Sequence, residues 1–112
     1  MLPSRFRLTN EKKIKQTIKY GRSFFNSWFG IYFLRNKDRQ TKIAIVVSTK
    51  IDKRAVCRNK MKRQIRHIFL KYCQNLLPGF NIVFIARFKL KNLDFWDLEY
   101  KLSGILKKLK LL

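Results

Sequence analysis

Carboxylates are nearly missing from this chain: six Asp and Glu stand against 27 Lys and Arg, a formal charge of +21 over 112 residues. From Lys53 through Leu93 there is none at all, against eleven Lys and Arg. Hydrolysis on protein side chains needs a base, a metal cage or an oriented nucleophile, and little material for any of these is present. His67 is the only histidine and sits beside a basic stripe, where it reads as a surface residue or a minor RNA contact. Half of the acids, Asp94, Asp97 and Glu99, cluster where a helix starts and complement its dipole. Cysteine is also scarce. Cys57 and Cys73 lie sixteen apart without a C-x-x-C, so neither a zinc site nor a disulfide framework is suggested and both read as reduced structural thiols. No apolar run approaches the ~20 residues of a transmembrane helix, and the basic residues are interleaved with strand-like runs, so no membrane partner is expected. Met1 to Arg7 has no apolar signal core, which predicts an intracellular, cytoplasmic protein. No fixed-period repeat is visible.

What is abundant is cation and hydrophobe together. A hydrophobic content of 46%, with 14% aromatic residues, is enough for one folded domain over 1–112, with residues 1–8 as an extended basic arm. Such a charge repels itself and calls for a polyanion, of which nucleic acid is the best candidate.

Thr9 or Asn10 can cap a short helix that runs to Tyr20 and stops at Gly21, with a thin apolar face of Ile14 and Ile18. Trp28 to Leu34 and Lys42 to Ser48 alternate as strands, separated by a polar turn at 36–40. Phe29, Ile31 and Phe33 share one face of the first strand, and Ile43, Ile45 and Val47 face the core from the second. If Gly30, Ala44 and Ser48 lie near Tyr32 on the other side, a shallow groove with an aromatic wall is open to an extended ligand. Alternatively a helix covers this side and the small residues admit it closely. A long helix over about 55–76 ends at Pro78-Gly79, Phe80 to Ala86 is a buried strand, and a last helix starts near Asp94. Phe95, Leu98, Leu102, Ile105, Leu106 and Leu109 give that helix a core-facing stripe.

The long helix carries the densest signal. At about 100° per residue, Arg58, Asn59, Lys62, Arg63 and Arg66 fall inside an arc of roughly 140°, and Met61, Ile65, Ile68 and Tyr72 form the adjoining apolar arc. Cations that flank a buried face, with no acid among them, are suited to holding phosphates. Aromatic rings and amides elsewhere can add contact with unpaired bases.

The segment Ala55-Val56-Cys57-Arg58-Asn59-Lys60-Met61-Lys62-Arg63-Gln64-Ile65-Arg66 closely resembles the signature helix of the bacterial ribonuclease P protein subunit. The likeness extends to Val47-Ser48-Thr49-Lys50, to Ile82 through Arg87, to Arg5-Phe6-Arg7-Leu8 and to the aromatic strand ending in Tyr32, and so spans nearly the whole chain. It implies an α+β fold, a two-layer α-β sandwich in the order α-β-β-β-α-β-α, similar to a ribosomal small-subunit protein domain. The signature helix would lie in a left-handed crossover between parallel strands, where general chirality favours the right-handed form. The resemblance also implies a subunit of an endoribonuclease that binds a large catalytic RNA and the 5′ leader of precursor tRNA and assists tRNA 5′ maturation. The cut would belong to the RNA and its magnesium, with no cofactor, metal or catalytic residue on the protein and no DNA partner. Position by position, Arg58, Asn59, Lys62, Arg63 and Arg66 would face RNA, with Lys50, Arg54 and Lys60 nearby. Tyr32 would line the leader groove with Ile14 and Ile18, where the family often has phenylalanine, over an open floor of Ala44, Val46 and Ser48. The alternative is a ribosomal or general structural RNA-binding protein, which shares the charge but needs no groove.

Overall fold

A computed structural model describes residues 6–37, 40–72 and 75–111. The first five residues of the basic arm, two residues of the polar turn and Cys73 lie outside that description. Helix α1 spans Glu11–Tyr20, and Asn10 caps it: its Oδ1 accepts from the backbone N–H groups of Lys12 at 2.9 Å and Lys13 at 3.3 Å. Gly21 ends it because a Cβ there would stand 2.4 Å from the Thr17 carbonyl oxygen and 2.7 Å from that of Phe33. Glycine therefore lets the helix end press against a strand.

Strand β1, Arg22–Phe25, follows at once and is paired antiparallel with β2, Phe29–Arg35. Four residues are too few to show a period, so the sequence pattern does not reveal β1. Strand β3 covers Lys42–Val46 and stops short of the expected Ser48, whose carbonyl instead accepts the Ile51 N–H in a turn. Helix α2 spans Ala55–Tyr72, shorter than the 55–76 periodicity suggests. Gly79, at φ 89°, makes the turn into β4, Phe80–Ala86, a conformation that favours glycine. A 3-10 turn at Phe88–Asn92, absent from the sequence pattern, leads to α3, Phe95–Lys108, which Asp94 caps by accepting the Asp97 N–H at 2.8 Å.

The four strands lie in the order β1-β2-β4-β3. All pairs are antiparallel except β3 with β4, which are parallel and joined through α2. With helices on this mixed sheet, the fold is α+β as expected. The two faces differ. Phe29, Ile31, Phe33, Ile43, Ile82, Phe84 and Ala86 point to one side and pack with Ile65, Ile68 and Phe69 of α2 and Leu98, Leu102 and Leu106 of α3. Phe29 stacks on Phe84 at 5.1 Å, and Phe69 meets Phe84 edge-on at 6.2 Å. Phe69 broadens the buried side of α2 beyond the arc read from Met61, Ile65 and Ile68. The other side holds a small cluster of Leu8, Ala44 and Val83, joined by Ile14, Tyr32 and Ile85.

The described end of the arm is not a free tail. Arg7 bridges Ile43 in parallel, the Leu8 N–H donates to the Ile43 carbonyl at 2.8 Å, and Phe6 and Leu8 are buried. It covers the exposed edge of β3, where unpaired backbone groups would otherwise invite another strand.

Candidate nucleic-acid interface

On α2, Asn59, Lys60 and Arg63 are exposed, while Arg58, Lys62 and Arg66 are half-buried along the seam with the core. The stripe thus begins at the edge of the packed face, and burial of Ile65, Ile68 and Phe69 fixes the rotation of the helix that displays it. No acid stands in the first turn, so the positive end of the helix dipole adds to these charges. Lys50 is exposed in the turn just before.

Two of the expected RNA-facing cations also have structural partners. Arg58 donates from Nη1 to the carbonyl oxygens of Asp52 at 3.0 Å and Lys53 at 2.8 Å. Arg54 grips the Asp52 carboxylate through Nε at 3.2 Å and Nη2 at 3.1 Å, and its backbone N–H donates to the same group at 2.9 Å. The Lys91 ammonium lies 3.4 Å from the same carboxylate. The Arg54 side chain, then its backbone N–H, hold the Asp52 carboxyl well below the usual carboxylate range, although burial opposes them. Asp52 therefore organises the loop that leads into α2. Its signal in the sequence was its isolation, an acid set immediately before the acid-free run and next to Lys53 and Arg54.

The small-cluster face is organised by register. Phe25 pairs with Gly30, Gly30 with Ile85, and Ile85 with Val46, so one row crosses all four strands. Ser23, Tyr32, Val83 and Ala44 form the next row on the same face. Three strand spacings make each row about 14 Å long. The Phe25 ring lies over Gly30, where a Cβ would come within 2.1 Å of it, and meets Tyr32 edge-on with centroids 5.3 Å apart. The Arg87 guanidinium sits 5.9 Å from the other partner of that pair, the Phe25 ring, and donates to the Asn26 carbonyl at 2.9 Å.

Both sequence readings of this face are met in part. Helix α1 packs on β2 and β4 and buries Thr17, whose hydroxyl donates to the Lys13 carbonyl at 2.7 Å. Ile14 is half-buried against the cluster, and Ala44 is buried with Leu8. Ile18, Phe25 and Val46 stay exposed, with Tyr32 and Ile85 half-buried between them. Ser48 is exposed beyond the end of β3. Gly30 is roofed by Phe25 and contributes no open floor. Phe25 is the aromatic that sequence reasoning missed, because its position depends on β1.

His67 is exposed with its ring 5.7 Å from that of Phe95, and Cys57 is a half-buried free thiol. Among the described residues no three His, Cys, Asp or Glu side chains gather as a metal cage, and no helix is long and apolar enough to cross a membrane.

The fold and the site together define a small, highly basic α+β protein that sets a cationic helix on one side of its sheet and an apolar, aromatic-walled track on the other. The ribonuclease P family profile matches residues 2–110. The ribonuclease P protein component of Clostridioides difficile is 33% identical over 102 residues, covering 90% of this chain and 89% of its own. That of Streptococcus pneumoniae serotype 4 is 36% identical over 106 residues, covering 95% and 85%. The structure of the Staphylococcus aureus RNase P protein superimposes with a TM-score of 0.86 at 31% identity, covering 95% of this chain and 96% of that one. The chain belongs to the ribonuclease P protein family, the protein components of an endoribonuclease of tRNA processing.

Proposed function

We propose that this chain binds the catalytic RNA of ribonuclease P through α2 and holds the single-stranded 5′ leader of precursor tRNA along the open face of its sheet, and that it does so in the cytoplasm. The observation that carries the leader reading is the row Phe25, Gly30, Ile85 and Val46, an apolar track beside Tyr32. Unpaired bases stack on such rings at about 1–3 kcal/mol each, whereas paired bases hide their faces. Exposed Asn59, Lys60 and Arg63, with Lys62 and Arg66 at the seam, supply phosphate contacts that position the RNA without reading its sequence. Magnesium held by the RNA supplies the hydrolytic chemistry when the complex is assembled; the protein neutralises phosphate charge and keeps the leader extended. DNA is not among the partners of this reading.

Reconstitution with a cognate catalytic RNA at near-physiological magnesium is the test. Added protein is expected to restore mature tRNA 5′ ends, and absence of stimulation refutes the proposal. Cleavage by the protein without RNA would place the chemistry on its own side chains instead. Tyr32→Ala is expected to weaken leader-bearing tRNA more than mature tRNA; equal losses would favour a general RNA-binding role.

A further inference from the structure

The face of α3 turned away from the core has no role in either contact above, yet it carries Trp96 and Tyr100 at 73% and 81% exposure, one helical turn apart. Beside them a cleft of about 630 Å³ opens between α3 and the β1–β2 hairpin. Phe24 and Trp28 line it from the hairpin, and Tyr100, Lys101, Gly104 and Lys107 from the helix. The Lys101 ammonium lies 4.0 Å from the centre of the Trp28 ring, and that of Lys108 lies 5.6 Å from Phe24. Among the described residues no carboxylate lines the cleft. Of the acids of α3, Glu99 pairs with Lys71 at 2.7 Å, and Asp97 stands in the first turn, outside the cleft lining.

Gly104 sharpens the point. Glycine inside a helix is less favourable than alanine because it gives up more backbone freedom on folding. Packing does not require it here, since an added Cβ would meet no atom within 4 Å. What the missing side chain does is leave the cleft floor open between Tyr100 and Lys107.

We infer that this cleft is a second binding site for unpaired RNA, with bases stacked on Tyr100 and Trp96 and phosphates on Lys101 and Lys107. Charge selects the occupant: a second copy of a chain at +21 is repelled, while a polyanion is drawn in. A lipid surface would need an apolar stripe to insert, but Leu98, Leu102 and Leu106 of this helix are buried in the core. Exposed ring faces select single strands over duplex, whose bases are already stacked. The site goes beyond the leader contact, since it lies with the helices on the opposite side of the sheet from Tyr32.

Trp28 lines the cleft and Trp96 stands one helical turn before Tyr100, so intrinsic fluorescence reports on this region while α2 and the leader track contain no tryptophan. Titration of the full chain with an oligouridylate is expected to quench this emission saturably. Tyr100→Ala and Gly104→Leu are each expected to raise the half-saturating concentration about 5- to 100-fold, the loss of one stacked base. The Cβ of Gly104→Leu enters open space, so the fold is expected to be kept, and circular dichroism checks this. Absence of quenching, equal quenching by duplex RNA, or titrations unchanged in both variants overturns the inference. A concentration-dependent dimer abolished by Tyr100→Ala would overturn it in favour of self-association. Because 5′ processing is measured separately in the reconstituted complex, lost quenching with intact stimulation removes only this site.

Discussion

The two faces of the sheet are built on opposite plans. The helical face buries Phe29, Phe84, Ile65 and Phe69 completely and uses that packing to hold α2 rigid, with cations along its outer edge. The other face closes on three small or medium residues, Leu8, Ala44 and Val83, and leaves Phe25, Val46 and Ile18 exposed. One face converts apolar burial into fixed charge positions. The other withholds burial, keeping apolar surface for a partner. A charged stripe needs a rigid platform because phosphates are spaced regularly, whereas a single strand conforms to the track it meets.

Core truncation on each face gives the largest contrast. Phe84→Ala removes a ring packed against Phe29 and Phe69 and is expected to cost about 3–5 kcal/mol. Val83→Ala, its neighbour on the thin side, removes two methyl groups and is expected to cost roughly 1.5 kcal/mol. Urea unfolding of both variants measures the gap. Equal losses would mean that the small cluster supports the fold as strongly as the large one, which would undo the proposed division of labour.

Next in size is leader recognition. Phe25→Ala strips the ring from above Gly30 and its edge contact with Tyr32, and is expected to weaken leader-bearing precursor by about 1–3 kcal/mol while sparing mature tRNA. If Phe25→Ala strengthens leader binding instead, the ring is a lid over the track rather than part of its wall. Arg63→Ala addresses the other face. Binding of the catalytic RNA should lose about one unit from its log–log salt slope, with little change in the preference for a leader. An unaltered slope would place Arg63 outside the phosphate contact.

The helical face was readable in the chain because its information is local. Spacing within a single helix brings Arg58, Asn59, Lys62, Arg63 and Arg66 together, and the bounds of β4 follow from one almost wholly apolar run. The track was only half readable. Tyr32, Val46 and the small residue Ala44 could be placed on one side by alternation, but the row Phe25, Gly30, Ile85 and Val46 is set by pairing among four strands distant in sequence. β1 is too short to announce itself, so alternation alone reveals neither Phe25 nor its ring over Gly30. Thr17 was hidden for a related reason: a polar residue on a thin helical face is buried only because Gly21 lets that helix approach β2 so closely. Likewise the bonds of Arg54 and Arg58 to the Asp52 loop depend on a turn that no period describes.

Asp52 belongs to the charged side and carries the smallest expected effect. Its carboxyl is held below the ordinary range in the folded chain and titrates near 3.9 when unfolded. A lowered folded value stabilises the fold above the unfolded value, and that contribution disappears as pH falls through about 4 toward the folded value. The effect is small because the Arg54 side chain is 73% exposed and water screens the pair. Urea midpoints measured from pH 7 down to 2.5 should therefore separate the natural chain from Asp52→Asn by a steady gap above about pH 5 that narrows progressively below 4. A constant gap at every pH would show that the loop depends on the shape of this side chain, and that its charge does not set the platform from which α2 presents Arg58 and Arg63.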